Sequence, residues 1–276
     1  MTNPTNPVVL PEHINLNGLD LVFEITRFCN MECPHCLRGE AQKLRIKKTF
    51  INKFFENTSI EYISTMTLSG GEPSLAVDLI NYIREVCEAY GIEVQNFYLT
   101  TNGTNTRRSF LNSIKKWLNF CSDNEISSLR VSKDNYHDEI GYNLSVFQEW
   151  EEEIKYEISD NFYLDMSGAP NKEEYLIYSG RAKDNYPATR QIEHDIYLLD
   201  DRIEGAVYIN AKGFIVSTCD IDYDTMDEDN SDFVICHVSD PDIKGKFAEW
   251  FNNHPDRISD EFLRNFEEIL ENNEES

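Results

Sequence analysis

The chain is poor in positive charge. Its 276 residues hold 25 Lys and Arg against 50 Asp and Glu, for a net charge of −25. A surface this acidic repels phosphate backbones, so no nucleic-acid partner is expected. The excess acid reads as a solvated surface, in preference to attraction for a basic partner. No apolar run is long enough to span a bilayer, so no membrane partner is expected. The Asn/Pro-rich start, residues 1–11, lacks the basic-then-apolar pattern of a secretory signal, which points to a cytoplasmic protein. A disulfide framework is also missing. The 7 cysteines are odd in number and three are clustered, which fits a reducing compartment better. What remains is 40% hydrophobic residues, enough to fill a core, in a length that allows one large domain with a small extension.

Three cysteines lie within Cys29-Asn30-Met31-Glu32-Cys33-Pro34-His35-Cys36, and no fourth follows nearby. The apolar run Leu19 to Ile25 precedes them and reads as a strand, which delivers the thiols onto a loop at its C-terminal end. Three close thiolates can reach three corners of an iron–sulfur cube, leaving one iron open to a small molecule. A structural zinc site or a chance cluster is the plainer alternative. Zinc sites, however, mostly use paired Cys-x2-Cys units or add a His with its own spacing.

Downstream, strands and helices alternate. Residues 41–57 have helical apolar spacing and carry the densest basic patch, Lys43, Arg45, Lys47 and Lys48. A strand over 60–68 ends in Ser69-Gly70-Gly71-Glu72-Pro73, followed by a helix over 74–90. The two glycines are expected to let the backbone approach a ligand, and the proline to open the helix. A strand over 92–99 ends in Thr100-Thr101-Asn102-Gly103, with a helix over 106–120. A strand over 127–132 leads into Lys133-Asp134-Asn135-Tyr136-His137, then a helix over 142–157. A fifth strand over 162–166 precedes a helix over 171–185 that contains Gly180-Arg181-Ala182. This βαβ rhythm predicts an α/β fold: a partial (β/α)6 TIM-like barrel of parallel strands with outer helices. Its loops at the strands' C-terminal ends converge on one face.

The pattern changes after residue 186. A strand–turn–strand over 205–218 is followed by Cys219 and an acidic loop, 220–232. That loop does not offer the glycine and glutamate positions of a calcium-binding EF-hand. Two terminal helices are expected over 244–270. The resulting division is a leader over 1–18, the barrel over 19–204 and an extension over 205–276 with a small β-hairpin and helices.

Taken together, these motifs resemble the radical S-adenosylmethionine (SAM) enzymes of the Cys-x3-Cys-x2-Cys type. The resemblance covers about residues 19–220. It implies one [4Fe-4S] cluster on Cys29, Cys33 and Cys36, with SAM chelating the open iron. His35 stands where the family usually has an aromatic residue. Gly70-Gly71-Glu72-Pro73 resembles the family's GGEP motif, which implies contact with the SAM amino group. Asn102 would line the ligand face, and Ser132 and Asp134 would meet the ribose hydroxyls. Gly180-Arg181-Ala182 resembles a motif of peptide-modifying members, with Arg181 on the SAM carboxylate. For each of these an ordinary turn, polar loop or surface arginine is the plain alternative. The extension departs from its cysteine-rich SPASM or twitch relatives. Gly213 and Cys219 echo that domain's start, but Cys236 alone follows, too few thiols for a second cluster. The extension is therefore expected to be a cluster-free cap remnant.

The implied reaction is reductive cleavage of SAM to a 5′-deoxyadenosyl radical, which abstracts hydrogen from a substrate. A peptide or protein side chain is the expected target. A small metabolite or nucleotide is the alternative within the family, and a non-catalytic iron–sulfur or zinc protein the alternative outside it. A flavodoxin or ferredoxin is the expected electron donor, docking on the basic patch at 43–48. No catalytic acid or radical-quenching residue is identified; Tyr136, His137 and Cys219 are candidates by position alone.

Overall fold

Leu19–Thr26 (β1) is buried along its whole length except at Asp20. A strand covered on both faces belongs in the interior of a parallel sheet, and β1 does lie there. It pairs in parallel with Tyr62–Gly70 (β2) on one edge and with Ala206–Ile209 (β8) on the other. From β2 the sheet continues in parallel through Glu93–Thr101 (β3), Ser128–Val131 (β4) and Tyr163–Asp165 (β5). Beyond β8 it turns antiparallel, through Phe214–Val216 (β9) and Val234–His237 (β10). The order is β10-β9-β8-β1-β2-β3-β4-β5. The computed structural model describes residues 13–133, 137, 144–166, 176–186, 190–199 and 202–259.

Because β1 to β5 follow in sequential order, each crossover steps the same way around the sheet, as in a barrel. The connecting helices are Lys48–Thr58 (α1), Val77–Tyr90 (α2), Arg108–Phe120 (α3) and Leu144–Glu157 (α4). Neighbouring helices α1, α2 and α3 pack against one another in that order. Phe97 of β3 stacks on Trp117 of α3, with ring centroids 4.9 Å apart, and the indole N–H donates to the Ile80 carbonyl. Six parallel strands, counting β8, therefore make an open, barrel-like α/β sheet. Among the described residues no helix is long and apolar enough to cross a membrane.

Several expectations shift. The helix expected over 41–57 starts only at Lys48. Before it, Leu44 and Ile46 exchange backbone hydrogen bonds with the end of β1, and Thr26 bridges Arg45 in antiparallel fashion. Strand pairing thus overrides helical spacing there. Pro73 opens a 3-10 turn, Pro73–Ala76, and α2 follows it. Of the helix expected over 171–185, Gly180–Asn185 (α5) is helical, and 171–175 lie outside the described residues. A hairpin of Tyr197–Leu199 (β6) and Arg202–Glu204 (β7) was not anticipated. The acidic loop holds the short helix Tyr223–Met226 (α6), capped by Asp222. Of the terminal helices, Ile243–Asn253 (α7) is present, and residues 260–276 lie outside the described ones.

Candidate active site

The cysteine loop leaves β1 at Arg27, whose side chain is fully buried. Its guanidinium pairs with Glu24 and makes two 2.7 Å hydrogen bonds to the Asp227 carboxylate. Glu24 in turn accepts from the Ala211 N–H. A bidentate pair of this kind fixes orientation as well as charge. It fastens the root of the cysteine loop to the acidic loop of the C-terminal region. Arg38, on the far limb, donates to the Ile221 carbonyl and lies 4.8 Å from the centre of the Tyr208 ring.

Within the loop, the Cys36 N–H donates to the Cys33 carbonyl, and the Cys36 carbonyl accepts from the Arg181 N–H. Helix α5 therefore begins directly on the loop. Gly180 makes this possible. Its φ is +51°, and a Cβ there would lie 2.4 Å from Leu37 O.

The end of β2 approaches just as closely. The Gly71 N–H donates to Thr26 O and the Glu72 N–H to Phe28 O. Gly70 has φ +142°, and a Cβ would lie 2.1 Å from Thr26 O; at Gly71 it would lie 2.6 Å from Phe28 O. These glycines answer to the close approach of the neighbouring backbone, a requirement that the sequence reading did not include.

Glu72 is buried and accepts three hydrogen bonds: from the Ser74 N–H, the Thr101 hydroxyl at 2.6 Å and the Asn102 N–H at 2.7 Å. Burial pushes its carboxyl above the ordinary value, and these donors pull the other way. Its carboxylate is thus first a brace between the ends of β2 and β3. Asn102 extends the brace, donating to Asn30 Oδ1 at 3.0 Å and reaching Cys29 Sγ at 3.9 Å.

All of this surrounds one cavity of about 440 Å³. It is lined by Cys29, Cys33, His35, Cys36, Gly70, Gly71, Glu72, Pro73, Asn102, Ser132 and Arg181. Asp134 lies outside the described residues. Residues not singled out from the sequence also line it, among them Arg38, Thr100, Arg130 and Tyr223. Arg38 and Tyr223 carried no motif; Arg38 stands on the cysteine loop itself, and long-range packing brings Tyr223 in. Two weak candidates prove to be on the wall as well. His137 is buried, with Nε2 3.5 Å from Cys33 Sγ and its ring edge-on to His35. Cys219 lines the opposite limb, and burial pushes its thiol up to about 12, so it keeps its proton at neutral pH. Cys87, Cys121 and Cys236 are buried in the core.

The donor set fits a metal–sulfur centre with an organic ligand beside it. Three thiols on one pinned loop face a cavity in the usual size range of small-molecule sites. Burial raises the Cys29 thiol, and a metal that coordinates a thiol deprotonates it outright. Arg181, held by its backbone against Cys36, supplies a cation on the wall.

Comparison with known proteins agrees. Residues 23–156 match the model of the Radical SAM superfamily. Residues 23–156 thus carry the signature of the Radical SAM superfamily, a family that implies a [4Fe-4S] cluster and SAM. The chain resembles GTP 3',8-cyclase of Synechococcus elongatus, with 31% identity over 106 residues. That stretch is 36% of this chain and about a third, 32%, of that relative's length. Native anSMEcpe with bound AdoMet and Cp18Cys peptide shares the fold at 11% identity, with a TM-score of 0.50. The alignment covers 87% of this chain and 82% of that one. Histidine-tagged anSMEcpe with bound AdoMet gives 13% identity and a TM-score of 0.52, covering 86% and 79%.

Proposed function

We propose that this enzyme cleaves SAM reductively at a single [4Fe-4S] cluster on Cys29, Cys33 and Cys36, and modifies a peptide or protein side chain. The observation that carries the reading is the convergence of the three cysteines, Gly70 to Pro73, Asn102, Ser132 and Arg181 on one cavity. When bound, the cluster and SAM together supply a 5′-deoxyadenosyl radical that abstracts hydrogen from the substrate. The chain's own residues bind and orient. Glu72 has lone-pair capacity beyond its three internal bonds for an ammonium donor. Arg181 offers a planar fork to a carboxylate. Ser132, set beside Thr101 by its backbone N–H, offers a hydroxyl. Asp134 completes the proposed ribose contacts, and His35 flanks the third cysteine. Cys219 and Tyr223, on the wall, would limit the access of water.

A peptide substrate is supported by the Gly180-Arg181-Ala182 motif, whose Arg181 lines the cavity, and by the shared fold with anSMEcpe, whose structure holds a peptide. The match to GTP 3',8-cyclase supports a second reading, a nucleotide substrate. Reconstituted enzyme with SAM and reductant distinguishes them. A cysteine- or serine-bearing peptide library should accelerate 5′-deoxyadenosine release at least tenfold and gain a mass change, and GTP should do neither. Acceleration by GTP alone would replace the peptide reading.

The electron donor is proposed to be a flavodoxin or ferredoxin. Phe28, next to Cys29, and Leu75 are exposed apolar residues at a groove shared with Lys43 and Arg45. Lys47 and Lys48 extend the charge, lying over Phe50 and Tyr82, although Arg45 is also paired with Asp78. Reversing Lys43, Arg45, Lys47 and Lys48 to Glu should slow flavodoxin-driven turnover about tenfold and leave dithionite-driven turnover intact. Equal rates with flavodoxin would remove this docking surface.

A further inference from the structure

Away from the cavity, three residues from distant parts of the chain meet: His194, Asp232 and His254. Their ligand atoms all lie within 4.8 Å of one another. None of them lines the cysteine cavity. His254 Nε2 is 3.1 Å from Asp232 Oδ1, and His194 Nε2 is 3.6 Å from Asp232 Oδ2. The two imidazole rings are largely covered, with side-chain exposures of 11% and 14%, and Asp232 faces solvent.

The hydrogen bonds on the other ring nitrogens decide what these atoms are. His254 Nδ1 is 2.8 Å from the Trp250 carbonyl, which accepts and never donates, so Nδ1 carries the proton. His194 Nδ1 is 2.7 Å from Ser217 Oγ. That hydroxyl also lies 3.3 Å from the Phe233 carbonyl, so it can donate there while accepting from His194 Nδ1. With Nδ1 the donor on each ring, both Nε2 atoms are left to face the same carboxylate as ligand atoms. A cation shared by the three, a metal ion or a proton on one ring, satisfies such a set.

We propose that His194 Nε2, His254 Nε2 and the Asp232 carboxylate form a binding site for one divalent transition-metal ion, zinc by preference. Two imidazoles and a carboxylate are a zinc donor set. Ligand atoms held 2.0–2.1 Å from one ion at tetrahedral angles stand about 3.3 Å apart. His254 Nε2 at 3.1 Å from Oδ1 and His194 Nε2 at 3.6 Å from Oδ2 lie near that value, on the two oxygens of one carboxylate, and all the ligand atoms are within 4.8 Å of one another. The backbone carbonyl and the serine hydroxyl behind the rings are the outer partners that ligating histidines normally have. Arg257, whose guanidinium donates to the His194 carbonyl and the Tyr197 hydroxyl, is the nearby opposing charge.

The site's role follows from what it joins. His194 precedes β6, Asp232 precedes β10, and His254 caps α7. The metal would fasten these three pieces of the C-terminal region. The next residue, Asp195, accepts from the Thr218 hydroxyl and the Cys219 N–H, and Cys219 is part of the cavity wall. The proposed ion is thus structural, one residue from the brace that sets that wall.

The test uses the full chain with Cys29, Cys33 and Cys36 changed to Ala, which removes the competing thiol set, titrated with zinc and separately with cobalt. One zinc per chain should bind with micromolar or tighter affinity and raise the melting temperature. Cobalt should give the visible band of a tetrahedral N/O site and quench Trp250, whose ring stacks on His254 at 4.0 Å. Asp232→Asn, at an exposed position, and His254→Gln should each weaken binding at least tenfold while metal-free melting stays native-like. Ser217→Ala should weaken it to a smaller extent. Zinc affinity weaker than millimolar, or equal in native and Asp232→Asn chains, would overturn the site.

Discussion

At the level of single residues, Glu72 ties the site together. Its two oxygens hold the end of β3 and the turn after β2, and Asn102 relays that hold to Cys29. Glu72→Gln sets an amide donor against a backbone or hydroxyl donor in a buried place. We expect a loss of about 2 kcal/mol in urea unfolding and at least tenfold weaker SAM binding. Unchanged stability would show that the internal bonds are not what the carboxylate is for. The cysteine and Gly-Gly-Glu-Pro motifs were legible because they are contiguous and their chemistry depends on residue type. Tyr223 was not, because it reaches the cavity only through contacts across 180 or more positions, as its N–H does to the Arg38 carbonyl.

At the level of elements, three glycines separate two kinds of requirement. Gly70 and Gly180 combine positive φ with backbone 2.1 and 2.4 Å from a would-be Cβ. Gly91, which ends α2, has φ +68° and nothing within 4 Å. Alanine at Gly91 should therefore cost about 1 kcal/mol, and at Gly70 or Gly180 about 2–4 kcal/mol. Urea melts of the three variants check the order; equal losses would contradict the close-approach account. The alternation of strands and helices through β5 was readable from apolar periodicity, since each of these helices buries one face. The segment before α1 was misread because its apolar spacing suits a helix while its backbone pairs with β1. The parallel docking of β8 beside β1 joins residues nearly 190 positions apart, and local pattern carries no trace of it.

Across the molecule, the buried chain Glu24–Arg27–Asp227 joins the cysteine loop to the C-terminal region. Lys212 also pairs with Asp227 at 2.6 Å, at the partly exposed edge. Asp227→Asn leaves the Arg27 charge buried with one carboxylate fewer, and we expect it to cost about 3–5 kcal/mol of stability. It should also raise proteolytic cutting between 218 and 232 under native conditions; resistance equal to the native chain would show that this segment is held elsewhere.

The central claim is radical SAM chemistry at Cys29, Cys33 and Cys36. It is tested most directly by anaerobic reconstitution with iron and sulfide, addition of dithionite and SAM, and chromatography for 5′-deoxyadenosine. The native chain should release 5′-deoxyadenosine, and the chain with all three cysteines changed to Ala should release none. Equal amounts from both, or none from an iron-loaded native chain supplied with reductant and SAM, would contradict the account.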